Sequence, residues 1–219
     1  MPMIEFSRLD GGTTKGYQSL AGEGRPGVIV IQEWWGLNDQ ICGIADRFAR
    51  AGYNALAPDL YEGRVTQEPD EANHMMEGLD FPGATNEDIR GAVQHMQGSS
   101  SAVAVMGFCM GGALTLAAAV HVPEVAAAVC YYGIPPAEFA APGDVKVPLQ
   151  CHFAKVDDWC TPALVDELEA GLAGAGAPFE IHRYEAKHAF FNEQNIDAYD
   201  PASANLSWQR MMDFLETQL

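Results

Sequence analysis

The stretch that most constrains this chain runs from Val103 to Gly112, where an apolar run meets Gly107-Phe108-Cys109-Met110-Gly111-Gly112 and an apolar segment then continues through Val120. A short β-branched run ending at glycine reads as a buried strand. Gly112 to Val120, apolar on every side, reads as a helix buried against the centre of a sheet. Strand, tight turn and helix in that order form the elbow G-x-nucleophile-x-G. Glycines flank such a turn because backbone and helix approach so closely that a β-carbon would collide, which leaves the middle side chain standing above the sheet. Here that side chain is the Cys109 thiol. At a helix N-terminus, unpaired N–H groups and the helix dipole favour a thiolate and then the anion of a tetrahedral intermediate, with the Met110 N–H as first donor. The structural alternative is a glycine turn made by packing alone around a buried cysteine.

The rest of the chain repeats the alternation of short apolar runs and helical patterns, which predicts an α/β fold with a mostly parallel central sheet flanked by helices. Candidate strands are 28–31, 54–57, 103–106, 125–131, 147–153 and 179–184. Ile41, Ile44, Ala45, Phe48 and Ala49 share one helical face, with Asn38 or Asp39 as cap and Gly52 as stop. Thr161-Pro162 opens a helix with Val165, Leu168 and Leu172 inward, and Trp208, Met211, Met212, Leu215 and Leu219 mark a C-terminal one. With 219 residues, one domain spanning 1–219 is expected, without a large cap domain. Residues 61–86 read either as a small lid or as a surface excursion containing a short helix.

Thirty acidic residues against twelve Lys plus Arg give a net charge of −18, which argues against nucleic acid or an anionic membrane as partner. No apolar run approaches the roughly 18 residues of a membrane helix, and Met1 to Asp10 lacks a basic-then-apolar pattern, so the expected location is the cytoplasm. The five cysteines lack the CxxC pairs of zinc or thiol redox sites, so no metal is expected and most should be reduced packing residues.

A nucleophile needs a base within reach, and behind an elbow the partners follow in the order acid, then histidine. His74 and His95 precede the elbow, His121 ends the buried helix, and His152 and His182 fall inside predicted strands. His188 alone sits in a loop just beyond the last strand, at the carboxyl edge where open α/β sheets bind ligands. Asp157 and Asp158 follow the preceding strand to the same edge. Upstream, Gln32-Glu33-Trp34-Trp35-Gly36 occupies the loop that supplies a second oxyanion donor, and a carboxylate beside two tryptophans needs a partner or a purpose.

Together QEWWGL (32–37), APDLY (57–61), GFCMGG (107–112), YYG (131–133), HFAKVDD (152–158) and KHAFF (187–191) resemble the dienelactone hydrolase (carboxymethylenebutenolidase) family of α/β-hydrolases from about Gly27 onward. The resemblance implies cleavage of a small-molecule ester or lactone by a Cys-His-Asp triad of Cys109, His188 and Asp157, through an acyl-cysteine. It further implies Glu33 beside the thiol, an oxyanion hole from the Trp34 and Met110 N–H groups, and no cofactor. Asp157 rather than Asp158 keeps the family distance from His152-Phe153. Trp35, Tyr132, Phe190 and Asn192 are expected around the substrate. One departure bears on specificity. Asn192 stands where family members acting on dienelactone carry an arginine for the substrate carboxylate, while Arg64 and Arg90 lie in the stretch where a second substrate arginine would be sought. A neutral or bulkier ester is then at least as suitable a substrate. A thioesterase or acyltransferase on the same triad, or a non-catalytic ligand-binding scaffold, are the alternatives, and a monomer or small homo-oligomer is the expected assembly.

Overall fold

In the computed structural model, which describes residues 3–219, apolar strands and helices assemble around one eight-stranded sheet. The strands are β1 (Met3–Ser7), β2 (Thr13–Ser19), β3 (Gly27–Ile31), β4 (Asn54–Pro58), β5 (Val103–Phe108), β6 (Ala127–Tyr131), β7 (Leu149–Val156) and β8 (Phe179–Lys187), in the order β1-β2-β4-β3-β5-β6-β7-β8. β4, β3 and β5 to β8 run parallel, and β1 and β2 add an antiparallel edge. This is the mostly parallel sheet that the alternation of the sequence predicts.

The helices are α1 (Asp39–Arg50), α2 (Pro69–Glu77), α3 (Phe81–Gly83), α4 (Arg90–Gln97), α5 (Met110–His121), α6 (Pro162–Leu172) and α7 (Pro201–Gln218), with a π turn, Ala84–Ile89, between α3 and α4. Alternation along β3 divides the core: Val28 and Val30 face one layer with Ile41, Phe48, Leu168 and Met211, whereas Ile29 and Ile31 face the other with Met75, Val93 and Leu114. Period-two alternation is what lets each strand face helices on both sides. Asn38 caps α1 by accepting from the Ile41 N–H at 3.1 Å, and Thr161 caps α6 by accepting from the Leu164 N–H at 3.3 Å. Gly52, at φ +95°, takes the left-handed turn after α1.

Two features depart from the sequence reading. The β1–β2 hairpin was not anticipated, because an edge strand that buries little apolar surface, such as β1 with Phe6 alone buried, carries no apolar run. β7 and β8 extend past Phe153 and Tyr184 to Val156 and Lys187, with an irregularity between the Ala154↔Tyr184 and Val156↔Lys187 pairs that inserts one residue in β8. Residues 61–86, read either as a small lid or as a surface excursion with a short helix, hold α2, α3 and the start of the π turn. Among the described residues no helix is long and apolar enough to cross a membrane.

Candidate active site

Five parallel strands end at one rim of the sheet, and each hands a polar or reactive side chain to the segment that follows it. β3 is followed by Glu33, β5 by Cys109, β6 by Tyr132, β7 by Asp157 and β8 by His188. The register aligns these ends, pairing Ile31 with Gly107, Phe108 with Tyr131, and Val156 with Lys187. Groups far apart in the chain therefore meet because the sheet is parallel.

At the elbow, Cys109 has φ 56° and ψ −118° and immediately precedes α5. A non-glycine residue held there is strained, and Tyr132 (φ 37°) and Ala189 (φ 63°) at the same cavity are strained likewise. The flanking glycines are there for want of room. A β-carbon on Gly107 would stand 2.3 Å from the Gly111 carbonyl oxygen, and one on Gly111 would stand 2.5 Å from that of Gln32. The half-buried thiol is pushed up in pKa by desolvation, against which His188 and the Met110 N–H act.

The His188 Nδ1–H donates to Asp157 Oδ2 at 2.7 Å, while Asp157 Oδ1 accepts from the N–H groups of Trp159 at 2.8 Å and Cys160 at 2.9 Å. Burial would raise the Asp157 pKa, but His188 and these two N–H groups hold it below the ordinary value. Asp158, the other acid considered, is exposed. Burial would likewise depress His188, but Asp157 and the neighbouring Cys109 thiol raise it to about 10. Its Nε2 is buried without a hydrogen bond of full geometry, and its side-chain interaction with the Cys109 thiol is among the causes that raise it. Such bonds commonly tighten only when substrate is present.

Glu33 is buried, with Oε2 accepting from the Asn192 amide at 2.7 Å and Oε1 from the Tyr132 hydroxyl at 3.4 Å. Desolvation raises its pKa, and the two neutral donors and His188 offset only part of that rise. The structure thus brings Cys109, His188, Asp157 and Glu33 into one cluster, with Trp34 and Met110 on the wall of the same cavity.

That cavity, about 410 Å³, also takes in Trp35 and Tyr132, as expected, and Met76, Phe81, Ile134 and Trp159, which the sequence reading missed. Met76 and Phe81 come from the irregular 61–86 stretch, where no periodicity pointed inward. Trp159, directly after the two aspartates, was open to recognition as an exposed aromatic beside a reactive loop, being 61% exposed. Two expectations for substrate contact are corrected. Phe190 is fully buried and packs on Tyr132 and Tyr184, behind the wall, because apolar area is drawn to the core. Asn192 is buried and turned onto Glu33, away from the cavity surface. Neither arginine reaches the cavity: Arg90 pairs with Glu124 at 2.8 Å, and Arg64 lines a separate polar cavity beside the β1–β2 hairpin. Among the described residues no three or more His, Cys, Asp or Glu side chains are grouped to hold a metal ion.

Comparison with known proteins matches the family model described as the dienelactone hydrolase family to residues 16–219. The protein usf of Aquifex pyrophilus is 32% identical over 99% of this chain and 98% of its own length. A protein of Aquifex aeolicus named as a candidate carboxymethylenebutenolidase is 30% identical over 99% of this chain and 98% of its own. Among solved structures, a candidate dienelactone hydrolase of Klebsiella pneumoniae superposes with a TM-score of 0.81 at 26% identity, covering 97% of each chain.

Proposed function

The chain belongs to the dienelactone hydrolase family of α/β-hydrolases, and from that premise we propose that it cleaves a carboxylic ester or lactone by way of an acyl-cysteine on Cys109. The observation that carries this reading is His188, held by Asp157 at 2.7 Å through Nδ1 with its Nε2 buried and unpaired beside the elbow thiol. A carboxylate behind an imidazole fixes its tautomer and orientation and stabilises the imidazolium, so the thiol proton has somewhere to go.

In the first half-reaction the sulfur, its proton held on His188 Nε2 in an imidazolium–thiolate pair, attacks the carbonyl carbon. The resulting oxyanion is received by the N–H groups of Trp34 and Met110. As the C–O bond breaks, His188 returns its proton to the leaving oxygen; for a lactone that oxygen stays tethered to the acyl group. In the second half-reaction His188 takes a proton from water, hydroxide adds to the thioester, and the C–S bond breaks to release the acid as His188 returns that proton to the departing sulfur. Because the apolar surroundings disfavour an isolated thiolate, sulfur becomes anionic only against the imidazolium. Glu33, fixed by Asn192 and Tyr132 next to this pair, holds the resting thiol or helps deprotonate it.

Replacing Cys109 with alanine is expected to abolish turnover of a p-nitrophenyl ester, while the wild type shows a mass increase equal to the acyl group when quenched in acid during turnover. Undiminished hydrolysis by the alanine variant would reject the assignment.

A further inference from the structure

We infer that the substrate is an uncharged ester or lactone bearing an aromatic or bulky apolar group, and that a carboxylate on the substrate opposes binding. The inference rests on the ester-hydrolase reading above and adds the chemical class of what is bound.

Its basis is the cavity wall. Trp34, Trp35, Trp159, Met76, Phe81 and Ile134 line it, and among the described residues no lysine or arginine is on it. The cations that might have served are committed elsewhere. Arg47 lies over the Trp208 ring at 3.7 Å, Arg90 is paired with Glu124, and Arg64 opens onto the other cavity. Asn192, behind the wall, is spent on Glu33 at 2.7 Å, which leaves the uncharged Asn195 as the side-chain amide on the wall. A substrate carboxylate would thus leave water with no lysine or arginine to receive it, beside Glu33 and in the field of a chain of net charge −18, the His188 charge on the wall being already neutralised by Asp157. Desolvating an unpaired charge is far more costly than any contact this wall returns.

The apolar half of the inference follows from the tryptophans. Trp34 meets Trp35 edge-on, with ring centroids 5.0 Å apart at 67°, and meets Trp159 at 5.9 Å and 70°. Edge contacts of this kind leave ring faces free to pack against a flat or branched ligand group. Trp159 is 61% exposed at the cavity, an expensive position for so large an apolar side chain unless a ligand covers it. About 410 Å³ accommodates such a group, lying within the usual range for small-molecule sites.

The test uses two matched p-nitrophenyl esters, hydrogen glutarate and methyl glutarate, which differ in the charge of the far end. For the wild-type protein kcat/KM is expected to be about a hundredfold higher for the methyl ester; a ratio near one, or in favour of the acid, overturns the inference. Trp159→Ala is expected to lower kcat/KM for p-nitrophenyl 4-phenylbutanoate about tenfold more than for p-nitrophenyl acetate. An equal loss on both removes the aromatic half. Binding of the same glutarate esters to Cys109→Ala, followed by tryptophan fluorescence, separates this inference from the chemistry. Tighter binding of the methyl ester with no wild-type turnover rejects the hydrolase mechanism yet supports the uncharged ligand, whereas turnover of both esters without charge preference keeps the mechanism and rejects the ligand class.

Discussion

Two histidines on neighbouring strands show how differently one side chain is treated by two regions of this molecule. His152 lies inside β7, fully buried, where Nε2–H donates to Gln150 Oε1 at 2.9 Å and Nδ1 accepts from the Tyr184 hydroxyl at 2.8 Å. Its ring stacks on Tyr131 at 4.4 Å, and burial, aided by the charges of His182 and Arg210, holds its pKa well below the ordinary value. His188 stands one residue past β8, is also mostly buried, and is raised to about 10. Burial disfavours the cation in both places. The carboxylate of Asp157 reverses the outcome at the rim, while the partners of His152 are neutral and lock in one uncharged tautomer. The same imidazole is thus a packing element under α7 and the proton carrier proposed at the carboxyl edge.

The largest expected effect that tests this contrast comes from Asp157→Asn, which leaves the shape of the rim but removes the charge. Activity on an activated ester is expected to fall roughly 10³- to 10⁴-fold, with a lower melting temperature at and below neutral pH from loss of the His188–Asp157 pair, and the His188 titration seen by NMR should move down toward that of a free imidazole. A variant retaining full activity would mean that the acid matters less than the geometry. Next, His152→Leu removes a side chain that satisfies Gln150 and Tyr184 in the interior. It is expected to destabilise the fold by about 2–3 kcal/mol in denaturant titration, with the remaining folded protein close to wild type in kcat. If kcat collapsed while stability held, the two regions would not be separable.

The smallest effect is on stability across pH, and here the two histidines carry opposite signs. His188 is raised above its unfolded value of 6.5 to about 10, so its contribution is complete below pH 6.5 and is lost as pH rises through 10. His152 is depressed below 6.5, so its contribution is present above that pH and is lost as pH falls through its lower folded value. Melting temperature should therefore decline on both sides of a plateau, with the alkaline decline reduced in Asp157→Asn and the acid decline reduced in His152→Leu. A wild-type profile that climbs steadily through neutral pH in one direction would contradict this pairing of signs.

Much of the rim was legible beforehand because local chemistry forces it. Gly107, Cys109 and Gly111 reveal the elbow, since only glycine fits where a β-carbon would stand 2.3 to 2.5 Å from a carbonyl oxygen. His188 was legible as the residue following one strand and Asp157 or Asp158 as those following another, with only the family resemblance favouring Asp157, and the hydrogen bond of Asp157 to His188 is what the structure adds. By contrast, Phe190 and Asn192 follow His188 so closely that sequence proximity suggested substrate contact. Ala189, at φ 63°, turns the chain there and sends the two side chains inward instead. Met76 and Phe81 reach the cavity only through the way α2 and α3 pack, which no periodicity in 61–86 records.

The amino-acid sequence by itself determined the parallel α/β architecture, the elbow and which side chains are candidates for the chemistry, because hydrophobic period, glycine spacing and residue chemistry act over short range. Tertiary structure alone decided which groups meet. One additional residue in β8, between the Tyr184 and Lys187 pairings, shifts the register so that Lys187 lies opposite Val156 and His188 follows beside Asp157. Without that irregularity the alternation of side chains along the strand would turn the imidazole to the other face, since a one-residue slip in a period-two structure reverses every orientation beyond it.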